Sequence, residues 1–323
     1  MLPAIQSMWA SKSLAQSEKL CIRSFLHHGH AFHLYVYDDV RGVPDGAEVK
    51  DANEILPESE MFRMKDGRIA PFTDWFRYAL LAEKGNFWAD LDMVCIKPFD
   101  FSEEIVFGNN YGTARINLFH ISVLKFPKGH ECMRALEKSC RNYGEEMPWD
   151  DAADKKRKQK IRRRGADKTA VDYFDFGGPV FTKAVRHFGL EKYAKPFMCF
   201  YPCDNFSSYV HVFDRSFAKG IHLYPDTHGM HISNGSIAHF SELDKNGVFD
   251  EDSLFEQLKA KYGVAPEPNA PKYDHAAVHA AFAQGPRRLE EREKLGQKRK
   301  QKKRAVQALL VCAASFLAGY FLA

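Results

Sequence analysis

Apolar runs at about residues 4–9, 32–37, 86–90, 104–107, 116–122, 180–182 and 221–224 read as short strands. Between them, apolar positions at helical spacing mark helices at about 13–28, 73–84, 128–141, 183–188 and 252–262. Alternation of this kind predicts an α/β fold, a mostly parallel sheet flanked by helices. No fixed-period repeat runs through the chain. From Gly263 onward Pro266, Pro268 and Pro271 break the pattern, which predicts a linker running into a charged stem.

The richest stretch lies between Phe72 and Phe101. Trp75, Phe76, Tyr78, Ala79, Leu80, Leu81 and Ala82 form the apolar face of a helix, with Thr73 or Asp74 available as its cap and Lys84-Gly85-Asn86 as its end. Phe87-Trp88-Ala89 then read as a buried strand, and Asp90 and Asp92 stand where it runs out. On an extended segment, two carboxylates two residues apart face the same side, so both can meet one hard cation. The carboxyl ends of strands are also where open α/β sheets bind ligands. A short acidic loop produces Asp-x-Asp by chance, so the meaning of the pair depends on its surroundings.

Those surroundings resemble glycosyltransferase family 32, the proteins with a sugar-binding region containing a DXD motif. Its pattern of Asp-x-x-Arg-Tyr, Gly and Asp-x-Asp is met by Asp74, Arg77, Tyr78, Gly85, Asp90 and Asp92. Further matches follow in order: Ile5-Gln6-Ser7-Met8-Trp9, Cys21 to Leu26, His33 to Asp38, Gly177-Gly178-Pro179 and His231-Ile232-Ser233-Asn234. Together they span about residues 3 to 262, although Ser233 stands where the family typically has Trp. The resemblance implies a GT-A type, Rossmann-like nucleotide-sugar-binding domain over residues 1–262. It implies a retaining hexosyltransferase that uses Mn²⁺ or Mg²⁺ and a nucleotide-sugar donor, by resemblance a UDP-sugar.

By the same resemblance Asp92 is a direct metal ligand, and Asp90 meets ribose, sugar or metal-bound water. Asp74 and Arg77 grip sugar hydroxyls, with Tyr78 in the donor-binding set. Gln6 and Trp9 match the nucleotide-binding start of the first strand, Trp9 as a base-stacking candidate. His231 and Asn234 are candidates for completing the metal shell, since imidazole and amide oxygen both suit Mn²⁺. The histidine-rich stretch from His222 to His231 leaves His228 and His231 as alternatives. No residue stands out as a nucleophile, and a same-face displacement needs none. Two rival classes are an inactive sugar-binding protein on this fold and a metal-dependent phosphohydrolase. The intact Asp74, Arg77, Asp90 and Asp92 speak against the first, and the lack of further Asp and His clusters for a second metal against the other.

Composition modifies this picture mainly at the C-terminal end. A chain of 323 residues, 45% hydrophobic, can bury a full core. Seven cysteines without a CxxC pair read as reduced, buried thiols. Residues 286–304 carry ten Lys or Arg and three Glu, a net +7, which leaves the rest of this +4 chain at −3 and weakens a nucleic-acid reading. After that basic stem, residues 305–323 contain no charge over a length that can just cross a bilayer. The segment is expected to anchor the protein, with its basic flank on the cytoplasmic side, the bacterial inner membrane being implied. The opening residues Met1 to Ala4 lack the basic and apolar regions of an export signal, which agrees with a cytosolic domain. A second basic run, Lys155 to Arg164, is either a solvated helix or loop, or a contact for a membrane or a phosphorylated, lipid-linked glycan acceptor.

Overall fold

The computed structural model describes residues 2–65, 67–109, 118–172, 175–203, 210–234 and 243–284. The basic stem, the apolar segment 305–323 and Cys312 lie outside the described residues. Among the described residues no helix is long and apolar enough to cross a membrane.

Seven strands form one sheet: β1 (Ile5–Trp9), β2 (Phe32–Val36), β3 (Ala47–Asp51), β4 (Asn86–Ala89), β6 (Val106–Asn109), β7 (Phe119–Phe126) and β8 (Ala194–Lys195). Their order is β3-β2-β1-β4-β7-β6-β8. Pairing is parallel from β3 through β4 and again between β6 and β8, and antiparallel on both sides of β7. The expected α/β class with a mixed, mostly parallel sheet and flanking helices is therefore what the chain adopts. Beyond the sheet, β5 (Met93–Cys95) pairs antiparallel with β9 (Gly229–His231), Met93 opposite His231. That small ribbon carries the distant His231 segment back to the Asp90-Leu91-Asp92 turn.

One face of the sheet is covered by α2 (Ala70–Glu83), α3 (Glu131–Arg141) and α5 (Gly178–His187), whose apolar sides meet Trp88, Phe107, Leu124 and Phe126. The other face packs on α1 (Gln16–His27) through Cys21, Ile22 and Phe25. A third cluster joins α6 (Val210–Phe213), α7 (Leu254–Lys261) and a helical segment at 275–284, through Phe213, Phe249, Phe255, Val278 and Phe282. Residues 263–284 thus behave differently from a linker. Val264, Val278 and Phe282 are buried, and Val248 is bonded on both sides of Lys272 through Pro271 O and Tyr273 N.

Several expectations about elements change. Residues 180–182 lie inside α5, because Gly177 and Pro179 start a helix there despite the local Val-Phe-Thr. Residues 221–224 form no strand. Helix α2 starts at Ala70, with Pro71 in its first turn, so Thr73 and Asp74 are inside it and do not cap it. The basic run does form a solvated helix, α4 (Ala152–Arg162), capped by Asp151. Arg157, Lys158 and Arg162 reach Asp175, Asp150 and Glu146, while Lys155, Lys156 and Lys160 are exposed. All six described cysteines are buried, and none is in a disulfide, as expected of reduced thiols.

Candidate functional site

Helix α2 passes behind β4 and delivers Asp74 and Arg77, three residues apart and so on one face, beneath the end of that strand. Both are buried, at 7% and 4% exposure. The guanidinium is fully used: Nη2 lies 2.9 Å from Asp74 Oδ1, and Nη1 lies 3.1 Å from Asp90 Oδ1 and 2.7 Å from the Ile121 carbonyl. Its face also lies 5.1 Å from the Trp88 ring. Trp88 Nε1 donates to Asp90 Oδ1 at 2.7 Å. Arg77 thus clamps the two carboxylates in place from below, and its donors point into the protein.

Asp90, Leu91 and Asp92 do not continue the strand. The Asp90 carbonyl accepts from Met93 N–H at 3.0 Å, closing a tight turn between β4 and β5. The two carboxylates converge because of this turn and not through extended alternation. Asp92 is then held from the C-terminal side: its carbonyl accepts from Ile232 N–H at 2.8 Å and its Oδ2 from Asn234 N–H at 2.8 Å. Ser233, between them, has φ +55, a left-handed turn that aims Asn234 N–H at the carboxylate. His231 Nε2 stands 3.3 Å from Asp92 Oδ1.

Electrostatics separate the three carboxylates. Burial raises Asp74 to about 7, Arg77 opposing and Asp90 adding to the rise. Burial likewise raises Asp90 against the pull of Arg77, with Asp92 pushing in the same direction as burial. Asp92 is also pushed up by burial, but His231, the Asn234 N–H and His120 outweigh it and hold the group below the usual carboxylate range. Asp92 therefore carries the firm negative charge of the site.

Ligand atoms of Asp90, Asp92 and His231 all lie within 4.8 Å of one another, a spacing that fits one cation. Asn234 Oδ1 is a buried side-chain atom left without a hydrogen-bond partner among the described residues, and Asp92 Oδ1 beside it faces the His231 imidazole at 3.3 Å. Buried oxygens normally find donors, and oxygens aimed at a cation are the exception. The amide orientation is set by Asn234 Nδ2, which donates to the fully buried Glu18 at 2.7 Å. A carboxylate pair, an imidazole and an amide oxygen suit Mn²⁺ or Mg²⁺, so these residues fit the expected metal.

The expected site residues divide accordingly. Asp74, Arg77, Asp90, Asp92, His231 and Asn234 come together. Trp9, at the end of β1, stands on the rim beside Lys245, whose Nζ is 4.9 Å from its ring and 2.6 Å from Glu18. Gln6 does not join them: its amide donates to the Gly85 and Phe87 carbonyls at 2.7 and 3.3 Å, tying β1 to β4 at the far end of the strands. Tyr78 faces the core, stacking on Phe181 and donating to the Phe176 carbonyl at 2.9 Å. His228 packs on Phe101 and bonds Pro98, which singles out His231 as the residue facing the carboxylates.

Strand β7 adds a cluster outside the residues expected from the sequence. His120 lies 5.1 Å from His231 and 4.4 Å from Tyr201, centroid to centroid. Ser122 Oγ joins it, 3.0 Å from His120 Nδ1 and donating to Tyr201 Oη at 3.1 Å. The signal was present in the strand itself, where His120 and Ser122 put polar groups at alternate positions on one face. Tyr201 had no such pattern.

No protein-family model and no curated protein matches the chain. Among solved structures it is similar to a chain described as the PaToxG glycosyltransferase, with 16% identity and a TM-score of 0.40 over 58% of this chain and 70% of that one. It is also similar to the apo-form glycosyltransferase GlyE in Streptococcus pneumoniae TIGR4, with 11% identity and a TM-score of 0.42 over 88% of this chain and 64% of that one. At these scores the functional reading depends on the geometry of the site.

Proposed function

We propose that this protein is a metal-dependent glycosyltransferase that moves a hexose or N-acetylhexosamine from a nucleoside diphosphate sugar, in first place a UDP-sugar, to a glycan acceptor. The observation that carries the reading is the convergence of Asp90, Asp92 and His231 at the carboxyl end of β4, beside a buried Asn234 oxygen that has no donor among the described residues. Asp90, Asp92, His231 and Asn234 would hold a divalent cation, which would supply neutralisation of the leaving diphosphate. Asp92 provides the charged oxygen, and the Ser233 turn with Glu18 fixes the amide of Asn234. Arg77, locked to Asp74 and Asp90, keeps the second carboxylate in register. Trp9 and Lys245 on the rim offer an aromatic face and a cation to the nucleotide. Family resemblance adds retention of anomeric configuration.

Incubation with a panel of nucleotide sugars and Mn²⁺, following release of the nucleoside diphosphate, tests this. Release from one donor class, abolished by chelation, is the expected result. Binding without turnover, or cleavage of phosphate esters unrelated to sugars, would overturn it. We further propose a lipid-linked or surface polysaccharide acceptor and a cytoplasmic, membrane-tethered location, supported by the basic stem and the uncharged residues 305–323. Detergent-free fractionation with and without residues 286–323 tests the tether, which fails if both forms partition alike.

A further inference from the structure

A second convergence of ligand groups lies in the third cluster, far in sequence from Asp92. Asp214, directly after α6, is 2% exposed. Its Oδ1 accepts from Ser216 N–H at 2.8 Å, which fixes the plane of the carboxylate. Its Oδ2 faces His279 Nε2 at 2.9 Å and His211 Nδ1 at 3.3 Å. His275 and His279 are one turn apart on the helical segment 275–284, and their rings lie 4.4 Å apart. Ligand atoms of Asp214, His275 and His279 all fall within 4.8 Å of one another.

The helix is positioned independently of these polar groups. Asp274 Oδ1 accepts from Ala277 N–H at 2.8 Å at its start. Val278 is fully buried, and Phe282 stacks on Phe213 at 6.5 Å. Positions 275, 278, 279 and 282 therefore form one stripe, in which two apolar residues dock the helix and two imidazoles reach the Asp214 side. An Asp214–His279 ion pair would need only one of them. The second imidazole, held against the first at the same carboxylate, gives the donor set of a metal centre: two imidazoles at i, i+4 and one buried, pre-oriented carboxylate.

We propose that Asp214, His275 and His279 bind a borderline transition-metal dication, Zn²⁺ in first place, which fastens helix 275–284 to the turn after α6. Two nitrogens and one oxygen favour Zn²⁺ over Mg²⁺ or Ca²⁺, and the exposed side of the site leaves a fourth position for water. The site is independent of the glycosyltransferase reading and of the Asp92 centre.

The test uses the full chain, stripped of metal, with Zn²⁺ bound at equilibrium and counted by elemental analysis, and Co²⁺ as an absorbing substitute. D92N, which disables the other candidate centre, is expected to retain one equivalent of Co²⁺ with the intense visible bands of a low-coordinate site. His275→Ala is the decisive variant, because His275 is exposed and the Asp214–His279 pair survives its loss. Combined with D92N it should abolish the bands, and alone it should lower Zn²⁺ stoichiometry by one and reduce the Zn²⁺-dependent rise in Tm. Far-UV circular dichroism establishes that each variant is folded, and the wild-type against His275→Ala comparison stands even if D92N is not. Equal Zn²⁺ stoichiometry in wild type and His275→Ala, or absence of any Co²⁺ binding by folded D92N, would overturn the proposal.

Discussion

At the residue scale, Arg77 matters as much to stability as to chemistry. Its side chain is 5% exposed and holds two carboxylates and a carbonyl, so removing it strands buried charge. Arg77→Ala is expected to cost about 3–5 kcal/mol in urea unfolding. Arg77→Lys keeps the charge but not the fork that spans Asp74 and Asp90, and should recover only part of that loss. Asp92→Asn behaves oppositely. It can still accept from Asn234 N–H, so the fold should persist while Mn²⁺ affinity and turnover fall, turnover by about two orders of magnitude. Unchanged Mn²⁺ titration in Asp92→Asn would remove Asp92 from the metal shell. Asp74 gives a pH signature. Its folded pKa, about 7, stands above the unfolded value of 3.8, so between these limits the native state keeps a proton that the unfolded chain has released. Its contribution to stability therefore declines as pH rises from about 4 to about 7 and is level above that. The difference in unfolding free energy between wild type and Asp74→Asn, measured across that range, should show this slope; a flat difference would refute the shift.

At the element scale, the end of α2 depends on one glycine. Gly85 has φ +68, and a Cβ there would lie 2.4 Å from Lys128 N. Its carbonyl also receives the Gln6 amide. Gly85→Ala should lose about 1–2 kcal/mol from the left-handed backbone alone, and more from the clash. Gly189→Ala, at φ +66 with nothing within 4 Å, should show only the first part, so equal thermal shifts in the two variants would remove the clash from the account. This helix end, together with β4 and the aspartates after it, was legible because apolar spacing, the Gly and the strand all agree locally. Other elements were not. The strand β3, Ala-Glu-Val-Lys-Asp, sits at the sheet edge with little burial, so it lacks the apolar run that marks a strand. Ribbon β5/β9 is three residues long on each side and exists only through pairing across the chain. Local pattern also misled for Tyr78. Its place directly after Arg77 matches a motif, yet neighbours on a helix point about 100° apart, so Tyr78 turns to Phe181 while Arg77 reaches Asp74 and Asp90.

At the scale of the molecule, the site is assembled from segments that only the fold brings together: α1 with Glu18, the β4–β5 turn, β7 with His120, and the Ser233 turn. Motif order left His228 and His231 as alternatives beside Asp92, and the fold puts His231 there, whereas nothing in the sequence links Glu18 to Asn234 across 216 positions. The same long-range closure sets the limit of the body. Prolines at 266, 268 and 271 look like a linker, but they lead into Tyr273 and the 275–284 helix, which return to cover Phe213 and Phe249. A chain ending at residue 262 would lose Val264, Val278 and Phe282 and bare the aromatic cluster they cover. Burying a side chain of Val or Phe size contributes about 1.5–3 kcal/mol, so the loss should be at least about 3 kcal/mol. A chain ending at 284 keeps every one of these contacts and should unfold at a clearly higher urea concentration than one ending at 262, with a steeper transition because more surface is exposed. Equal midpoints would mean that helix 275–284 is dispensable, and that the core closes at α7.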